Sequence, residues 1–134
     1  MRRILLDTSA YSAFFRGHPR IVRAVQGADE LHLDPVVIGE LLSGFRAGSR
    51  EKRNRDELDG FLASRRVQVL EITEETSARY AIIVDELKKS GCPIPTNDVC
   101  YVACPMAVCY VACPMAVDLG FRCSLNDSSR AAGR

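Results

Sequence analysis

The sequence predicts an α/β fold, a three-layer α/β/α sandwich with a central parallel sheet. Two observations support it. Short apolar runs alternate with helical patterns along the 134 residues, and alternating β and α units favour a parallel sheet with helices on both faces. The first apolar run, residues 3–6, also ends abruptly at Asp7, as a buried parallel strand does. We expect one domain over residues 1–127, followed by a mobile polar tail at 128–134.

The elements up to Gly91 follow from apolar periodicity and from cap and turn residues. Thr8 and Ser9 can cap the first helix, Pro35 suits the first turn of another, and Gly91 is typical of a helix end. The predicted elements are strand 3–6, a helix to Phe15, helix 19–26, strand 30–33, a helix opened by Asp34 that stops near Gly48, helix 51–63, strand 67–72 and a helix that begins at Thr73.

Beyond Gly91 the sequence predicts three further elements. An extended connector covers residues 92–95, where two prolines restrict the backbone. Thr96 or Asn97 then caps a helix that has Asp98 in its first turn. The last predicted strand covers residues 121–125 and precedes the polar tail.

No segment of the sequence is typical of a membrane or secreted protein. The N-terminal MRRILLD has too few apolar residues for a signal peptide, and no apolar run reaches the roughly 18 residues of a membrane span. We therefore expect a cytoplasmic protein that does not engage a membrane. Its six cysteines are expected to be reduced thiols.

Positive charge is concentrated between residues 46 and 66. This stretch has seven basic residues against four acidic ones, an excess that would attract phosphate. A solvated helix face with internal salt bridges is the alternative interpretation. The basic residues are Arg46, Arg50, Lys52, Arg53, Arg55, Arg65 and Arg66.

Three carboxylates are the candidate functional residues. Asp7 follows a strand, and parallel sheets bind ligands at the carboxyl ends of their strands. Glu40 lies within an apolar stretch, where an unpartnered carboxylate is costly, and Asp98 lies in a first helical turn. If they converge, they form an all-oxygen site suited to Mg²⁺ or Mn²⁺. Taken singly, each also fits an ordinary role as a helix cap, a surface residue or a partner of the helix dipole.

The residues around these carboxylates resemble a known family. The segments LLDTSA (residues 5–10), VIGELL (37–42) and IPTND (94–98) are similar, in order and approximate spacing, to the three signature blocks of PIN-domain ribonucleases of the VapC toxin type. GFRAGSR (44–50) is also similar to that family. The resemblance covers residues 1–99, and the blocks are quite specific as a set.

The resemblance implies a fold, a reaction and partners. The family has a three-layer α/β/α sandwich with a parallel sheet, and its members are toxins of type II toxin–antitoxin pairs. They cut RNA, commonly transfer or ribosomal RNA, with a divalent metal. A cognate antitoxin that blocks the acidic site is therefore expected, and homodimers are common in the family.

The resemblance also assigns roles to individual residues. Asp7, Glu40 and Asp98 would be catalytic metal ligands. Thr8 or Ser9, together with Asn97, would orient those carboxylates by hydrogen bonds.

The family usually has a fourth acid just beyond its last strand. Residues 120–127, GFRCSLND, look like a degenerate version of that segment, which makes Asp127 the candidate. An ordinary tail aspartate is the alternative. His18 and His32 lie outside the signature blocks, and we expect both to be structural.

A duplication separates this sequence from the family pattern. Residues 100–108, CYVACPMAV, recur unchanged as residues 109–117. A helical insert of that length would turn the downstream chain by about half a revolution and add roughly 13–14 Å, and its prolines would interrupt the helix. Alternatively, one copy loops out and leaves the last strand near its usual place.

Two hypotheses compete with a metal-dependent endoribonuclease toxin. One is a catalytically inactive PIN remnant that only binds an antitoxin, which the duplication favours. The other is a thiol-based metal protein, in which repeated cysteines bind zinc or an iron–sulfur cluster. Copying accounts for that spacing without a metal. The cysteines concerned are Cys100, Cys104, Cys109 and Cys113.

Overall fold

The computed structural model describes residues 2–91 and the backbone of residues 110–112. Within these ranges strands and helices alternate, which confirms the α/β prediction. The strand predicted at 67–72 is shorter than expected and ends at Val69. In order, the elements are β1 (Arg3–Leu6), α1 (Thr8–Phe15), α2 (Pro19–Gln26), β2 (Glu30–Leu33), α3 (Pro35–Ala47), α4 (Glu51–Leu62), β3 (Val67–Val69), α5 (Glu74–Ser90) and β4 (Tyr110–Ala112).

The described strands form one parallel sheet in the order β3-β2-β1-β4. In the middle of the sheet, Ile4 pairs with Leu31 on one side and with Tyr110 on the other. Leu31 pairs in turn with Val67 of β3. Parallel neighbours need crossover connections, and helices provide them here between β1 and β2 and between β2 and β3.

Both faces of the two central strands are buried. Ile4 and Leu33 are fully buried, and so is Leu6. Leu5 and His32, which point to the opposite face because successive strand residues alternate, are each only 4% exposed. The sheet is therefore covered on both sides, as the three-layer prediction requires.

Aspartates begin the two helices that follow β1 and β2. Asp7 accepts a hydrogen bond from the Ala10 N–H at 2.6 Å, and Asp34 accepts one from the Val37 N–H at 2.7 Å. The prediction that Thr8 or Ser9 caps α1 is therefore wrong, because the cap is one residue earlier. An aspartate at this position satisfies an N–H that has no partner within the helix.

Aromatic contacts join α1 to α4. The rings of Tyr11 and Phe61 meet edge to face with their centroids 5.4 Å apart, and Phe15 packs against both. Phe15 is nevertheless 41% exposed, so the cluster reaches the surface.

In the described part of the chain, no helix combines the length and apolar character that crossing a bilayer requires.

Strand β4 comes from the duplicated segment. Tyr110–Ala112 lies in the second copy, so this part of the insert is a strand paired with β1 and does not continue a helix. The connector at 92–95, the helix capped by Thr96 or Asn97, the strand at 121–125 and the tail at 128–134 lie outside the described residues. The four cysteines of the repeat do so as well.

Burial predicts that the stability of the protein depends on the central strands. Replacing Leu31, which is 1% exposed, with alanine should lower the free energy of unfolding by about 2–5 kcal/mol, because it removes buried apolar atoms and leaves a cavity. Ile82→Ala on α5 is the control, since Ile82 is 60% exposed and should change stability by no more than about 0.5 kcal/mol. Urea unfolding of both variants measures the difference, and equal losses would contradict the assignment of the core.

Candidate active site

Asp7 lies directly after β1, at the carboxyl end of a central strand. Its Oδ1 is engaged by the Ala10 N–H of α1, and the residue is partly exposed. The carboxylate therefore does two things at once: it caps a helix and faces the edge of the sheet where α/β proteins bind ligands.

Glu40 reaches the same edge from α3. The Thr8 hydroxyl donates a hydrogen bond to Glu40 Oε2 at 2.5 Å. Thr8 is the first residue of α1 and follows Asp7 in the chain, so this bond ties the carboxylate of α3 to the end of β1. The structure thus brings together two of the three carboxylates that the sequence nominated.

Asp34 is a third carboxylate in this region, and sequence reasoning missed it. It was expected only to open α3, yet its side chain is completely buried. Oδ1 caps the helix, whereas Oδ2 has no hydrogen-bond partner among the residues that the structure describes. A signal for it was present in the sequence, since Asp34 follows a buried strand and precedes a helix just as Asp7 does.

Burial raises the pKa of Asp34 above its ordinary value of 3.8. The N–H groups of Val37 and Val36 lower the pKa and offset part of this effect. The negative charge of Glu40 raises the pKa of Asp34 further, because a nearby like charge disfavours the ionised carboxylate.

Of the other predicted site residues, the structure describes only Ser9. Ser9 is exposed in the first turn of α1. Asp98, Asn97 and Asp127 lie outside the described residues, so their roles stay predictions.

The carboxylates and hydroxyl at this edge are oxygen donors, which suit Mg²⁺ or Mn²⁺. They do not amount to a complete ligand set. Among residues 2–91, no three His, Cys, Asp or Glu side chains lie close enough together to hold a metal ion. The described residues therefore fit such an ion in donor type and supply only part of its site.

Within the basic stretch at residues 46–66, part of the charge is used in an internal salt bridge. This agrees with the alternative interpretation of a solvated, salt-bridged helix face. Arg53 pairs with Glu57 at 3.3 Å along α4. Arg66 donates to the carbonyls of Val25 and Ala28, at 3.2 and 2.7 Å, and so anchors the end of α2. A cleft on α4 is lined by three acids and two bases, which gives it no excess of positive charge: Glu51, Lys52, Arg55, Asp56 and Asp59.

The two histidines lie on other elements than Asp7 and Glu40. His18 precedes α2 and is exposed, and its side chain makes no capping hydrogen bond. His32 is buried in β2, with Nε2 3.2 Å from Glu30 Oε2. Glu30 also pairs with Arg3 at 3.0 Å across the sheet, so the His32 contact belongs to a small polar group between β1 and β2.

Comparison with protein families identifies the fold. The family model of the PIN domain matches residues 4–106. The chain belongs to the PIN domain family. This result confirms the family that the signature blocks of the sequence indicated. No curated protein matches the chain.

Several solved structures share this PIN fold. VapBC-1 from nontypeable Haemophilus influenzae matches with a TM-score of 0.65 and 22% identity, over 88% of this chain and 81% of that chain. DNA-bound VapBC from Salmonella typhimurium has a TM-score of 0.65 and 21% identity, over 77% and 78%. VapC20 from Mycobacterium tuberculosis, a sarcin-ricin loop cleaving toxin, has a TM-score of 0.56 and 19% identity, over 75% and 78%.

The raised pKa of Asp34 predicts how its replacement depends on pH. An aspartate with a raised folded-state pKa stabilises the fold below its unfolded pKa of about 3.8 and loses that contribution as pH rises through the folded value. Asp34→Asn should therefore gain stability relative to the unmodified protein between pH 3 and pH 7, because asparagine also caps helices but carries no charge. Urea unfolding across this range measures the difference. A difference that stays constant with pH, or one that moves the other way, would contradict the assignment.

Proposed function

We propose that this PIN domain is a metal-dependent endoribonuclease, the toxin of a toxin–antitoxin pair, which hydrolyses phosphodiester bonds in RNA in the cytoplasm. The main support is the convergence of Asp7 and Glu40 at the carboxyl end of β1, joined through the Thr8 hydroxyl. Structural neighbours that include a sarcin-ricin loop cleaving toxin and VapBC proteins add support by analogy of fold.

In this proposal Asp7, Glu40 and Asp98 hold Mg²⁺ or Mn²⁺, and Asp127 is the candidate fourth acid. When bound, the ion supplies an activated water and neutralises charge that builds on the phosphoryl group. The residues of the protein hold and orient the carboxylates: Thr8 fixes the Glu40 carboxylate, and Asn97 is proposed to act on Asp98. No serine or cysteine nucleophile is required.

The proposed partners are RNA, for example transfer or ribosomal RNA, and a cognate antitoxin protein. Because Arg66 binds backbone carbonyls and Arg53 already pairs with Glu57 on the surface of α4, the RNA-facing charge of the basic stretch is assigned to other exposed members, such as Arg46, Arg50 and Arg65. A homodimer is a further proposal, based only on the family resemblance.

An inactive PIN remnant that binds an antitoxin is the second candidate. The observation that favours it is the duplication, which begins two residues after Asp98 and supplies β4 from its second copy. The two candidates agree on fold and partner and differ only in whether RNA is cut.

Substitution of Asp7 tests the proposed reaction. The purified protein should cleave a fluorogenic RNA with Mn²⁺ or Mg²⁺ and not with EDTA, and Asp7→Asn should lose nearly all of that activity because a ligand charge is removed. Asp29→Asn is the matched control, since Asp29 accepts a hydrogen bond from the Arg2 N–H near the opposite end of β2. A folded protein without metal-dependent cleavage would favour the remnant instead.

The Thr8 hydroxyl should affect the reaction through Glu40. Thr8→Val keeps the shape of the side chain and removes the donor, so cleavage should fall by roughly 10–100-fold, the usual effect of losing a group that orients a metal ligand. Thr8→Ser keeps the hydroxyl and should stay within a few fold of the unmodified rate. Initial rates at fixed Mn²⁺ compare the two. Equal rates for the valine and serine variants would contradict a role for the hydrogen bond.

A further inference from the structure

Phe15, the last residue of α1, carries a ring that is packed and yet exposed. Its centroid lies 4.7 Å from that of Tyr11, 5.2 Å from that of Phe14 and 6.0 Å from that of Phe61. Three rings therefore hold Phe15 in place, while 41% of the residue stays accessible. An exposed apolar residue is ordinary by itself, but this ring is already fixed and keeps a surface on which a flat partner can stack.

The turn that follows α1, residues 16–18, is fixed to the end of that helix. The N–H of Gly17 donates to the Phe14 carbonyl at 3.0 Å, and the N–H of His18 donates to the Ala13 carbonyl at 2.9 Å. Gly17 has a φ of +77°, which glycine adopts readily, and the two bonds form a Schellman ending. Arg16 begins this turn and is exposed. Its backbone is therefore held beside the exposed ring.

The chain around this turn is basic and contains no acid. Residues 8–28 include three arginines and no aspartate or glutamate, an excess of three positive charges that equals the excess of residues 46–66. Arg20 and Arg23 lie three residues apart on α2 and therefore share a face of it. Both are exposed, as Arg16 is. Such a surface attracts a polyanion.

One acid of α4 lies near the ring cluster. Burial, and next the charge of Glu57, raise the pKa of the Tyr11 hydroxyl, which places Glu57 close to that ring. Glu57 Oε1 is itself 3.3 Å from Arg53 Nε, and this pair adds no net charge. The positive charge around the turn is therefore not offset by Glu57.

Helix α1 connects this surface to the acidic site. Thr8 and Phe15 are its first and last residues, so they lie about 10 Å apart along the helix. An RNA strand with a phosphate at the carboxylates can therefore place a base farther along the same strand on the Phe15 ring.

We propose that Phe15, Arg16 and Arg23 form a contact surface for single-stranded RNA, in which an unpaired base stacks on the Phe15 ring and the arginines bind the neighbouring phosphates. This inference rests on the proposed function and deepens it, since it restricts the substrate to RNA with accessible bases. A base stacked within a duplex offers no free face, whereas single strands bind through aromatic stacking and basic grooves. A protein segment would also cover Phe15, but arginines without acids favour a polyanion.

RNA binding in EDTA, where metal-dependent cleavage is prevented, tests the stacking contact. Phe15→Leu keeps an apolar side chain in the cluster and removes the ring, so the dissociation constant for a fluorescein-labelled single-stranded RNA should rise by roughly 5–100-fold. Phe15→Tyr keeps a ring and should stay within a few fold of the unmodified protein. The affinity of Phe15→Leu for a duplex of the same sequence should not change. Fluorescence anisotropy measures all three.

Ile82→Ala is the control for the ring, since it truncates another exposed apolar side chain, on α5, and should leave RNA affinity unchanged. Thermal unfolding shows which variants are folded. Phe15→Met is the second ring-free variant and replaces Phe15→Leu if that variant fails to fold.

The salt dependence of the same binding tests the arginines. Arg16→Gln and Arg23→Gln should each reduce the slope of log affinity against log salt by about 0.7, the value for one phosphate of a single strand. Lys88→Gln removes one exposed positive charge from the last turn of α5 and is the matched control, with an unchanged slope. Arginine variants whose slopes match that control would contradict the phosphate contacts and overturn the inference.

Unchanged affinity of the ring-free variants for the single strand would also overturn it, and would favour a protein partner at Phe15. An equal loss for single strand and duplex would do the same to the stacking contact. In either case, metal-dependent cleavage that is lost in Asp7→Asn would keep the proposed function intact. An unmodified protein that neither binds RNA in EDTA nor cleaves it with Mn²⁺ would overturn both.

Discussion

The parallel pairing of β1 with β2 positions every described part of the acidic site. Buried apolar side chains on both faces hold the two strands together, and each contributes about 1.5–3 kcal/mol. The Arg3–Glu30 pair across the strands is partly exposed and contributes about 0–1 kcal/mol, so burial dominates the pairing. A slip of one residue would turn each side chain of a strand to the opposite face and would shift Asp7, at the end of β1, relative to α3, which follows β2. The chemistry at the strand ends therefore depends on how the apolar residues behind them pack.

Much of the fold could be predicted because its signals are local. Apolar runs, Pro35 after an aspartate and the glycine at position 91 each act within a few residues, and the corresponding helices and strands form where they were expected. The nomination of Asp7 and Glu40 had a similar origin, since each carboxylate adjoins or interrupts an apolar segment. That Thr8 joins them depends on the packing of α1 near α3, which no local pattern contains.

The features that sequence reasoning missed share a tertiary cause. Thr8 and Asp7 are both good capping types, and the choice between them was decided by the geometry in which β1 ends and by the use of the Thr8 hydroxyl elsewhere. Asp34 had a complete local explanation as the residue that opens α3, so its likeness to Asp7, which also stands between a buried strand and a helix, was not used. The burial of Asp34 and the missing partner of its Oδ2 depend on tertiary packing, which a local pattern does not contain.

Strand β4 introduces an ambiguity that the rest of the sheet lacks. Residues 101–103 have the same sequence as Tyr110–Ala112, and the PIN family match ends at residue 106, inside the first copy. The strand that pairs with this edge of β1 therefore has a sequence that the chain contains twice. The two copies present identical side chains, so contacts with β1 do not favour one copy over the other. Only the length of chain between α5 and the strand differs, so the choice of partner at this edge is a matter of connectivity.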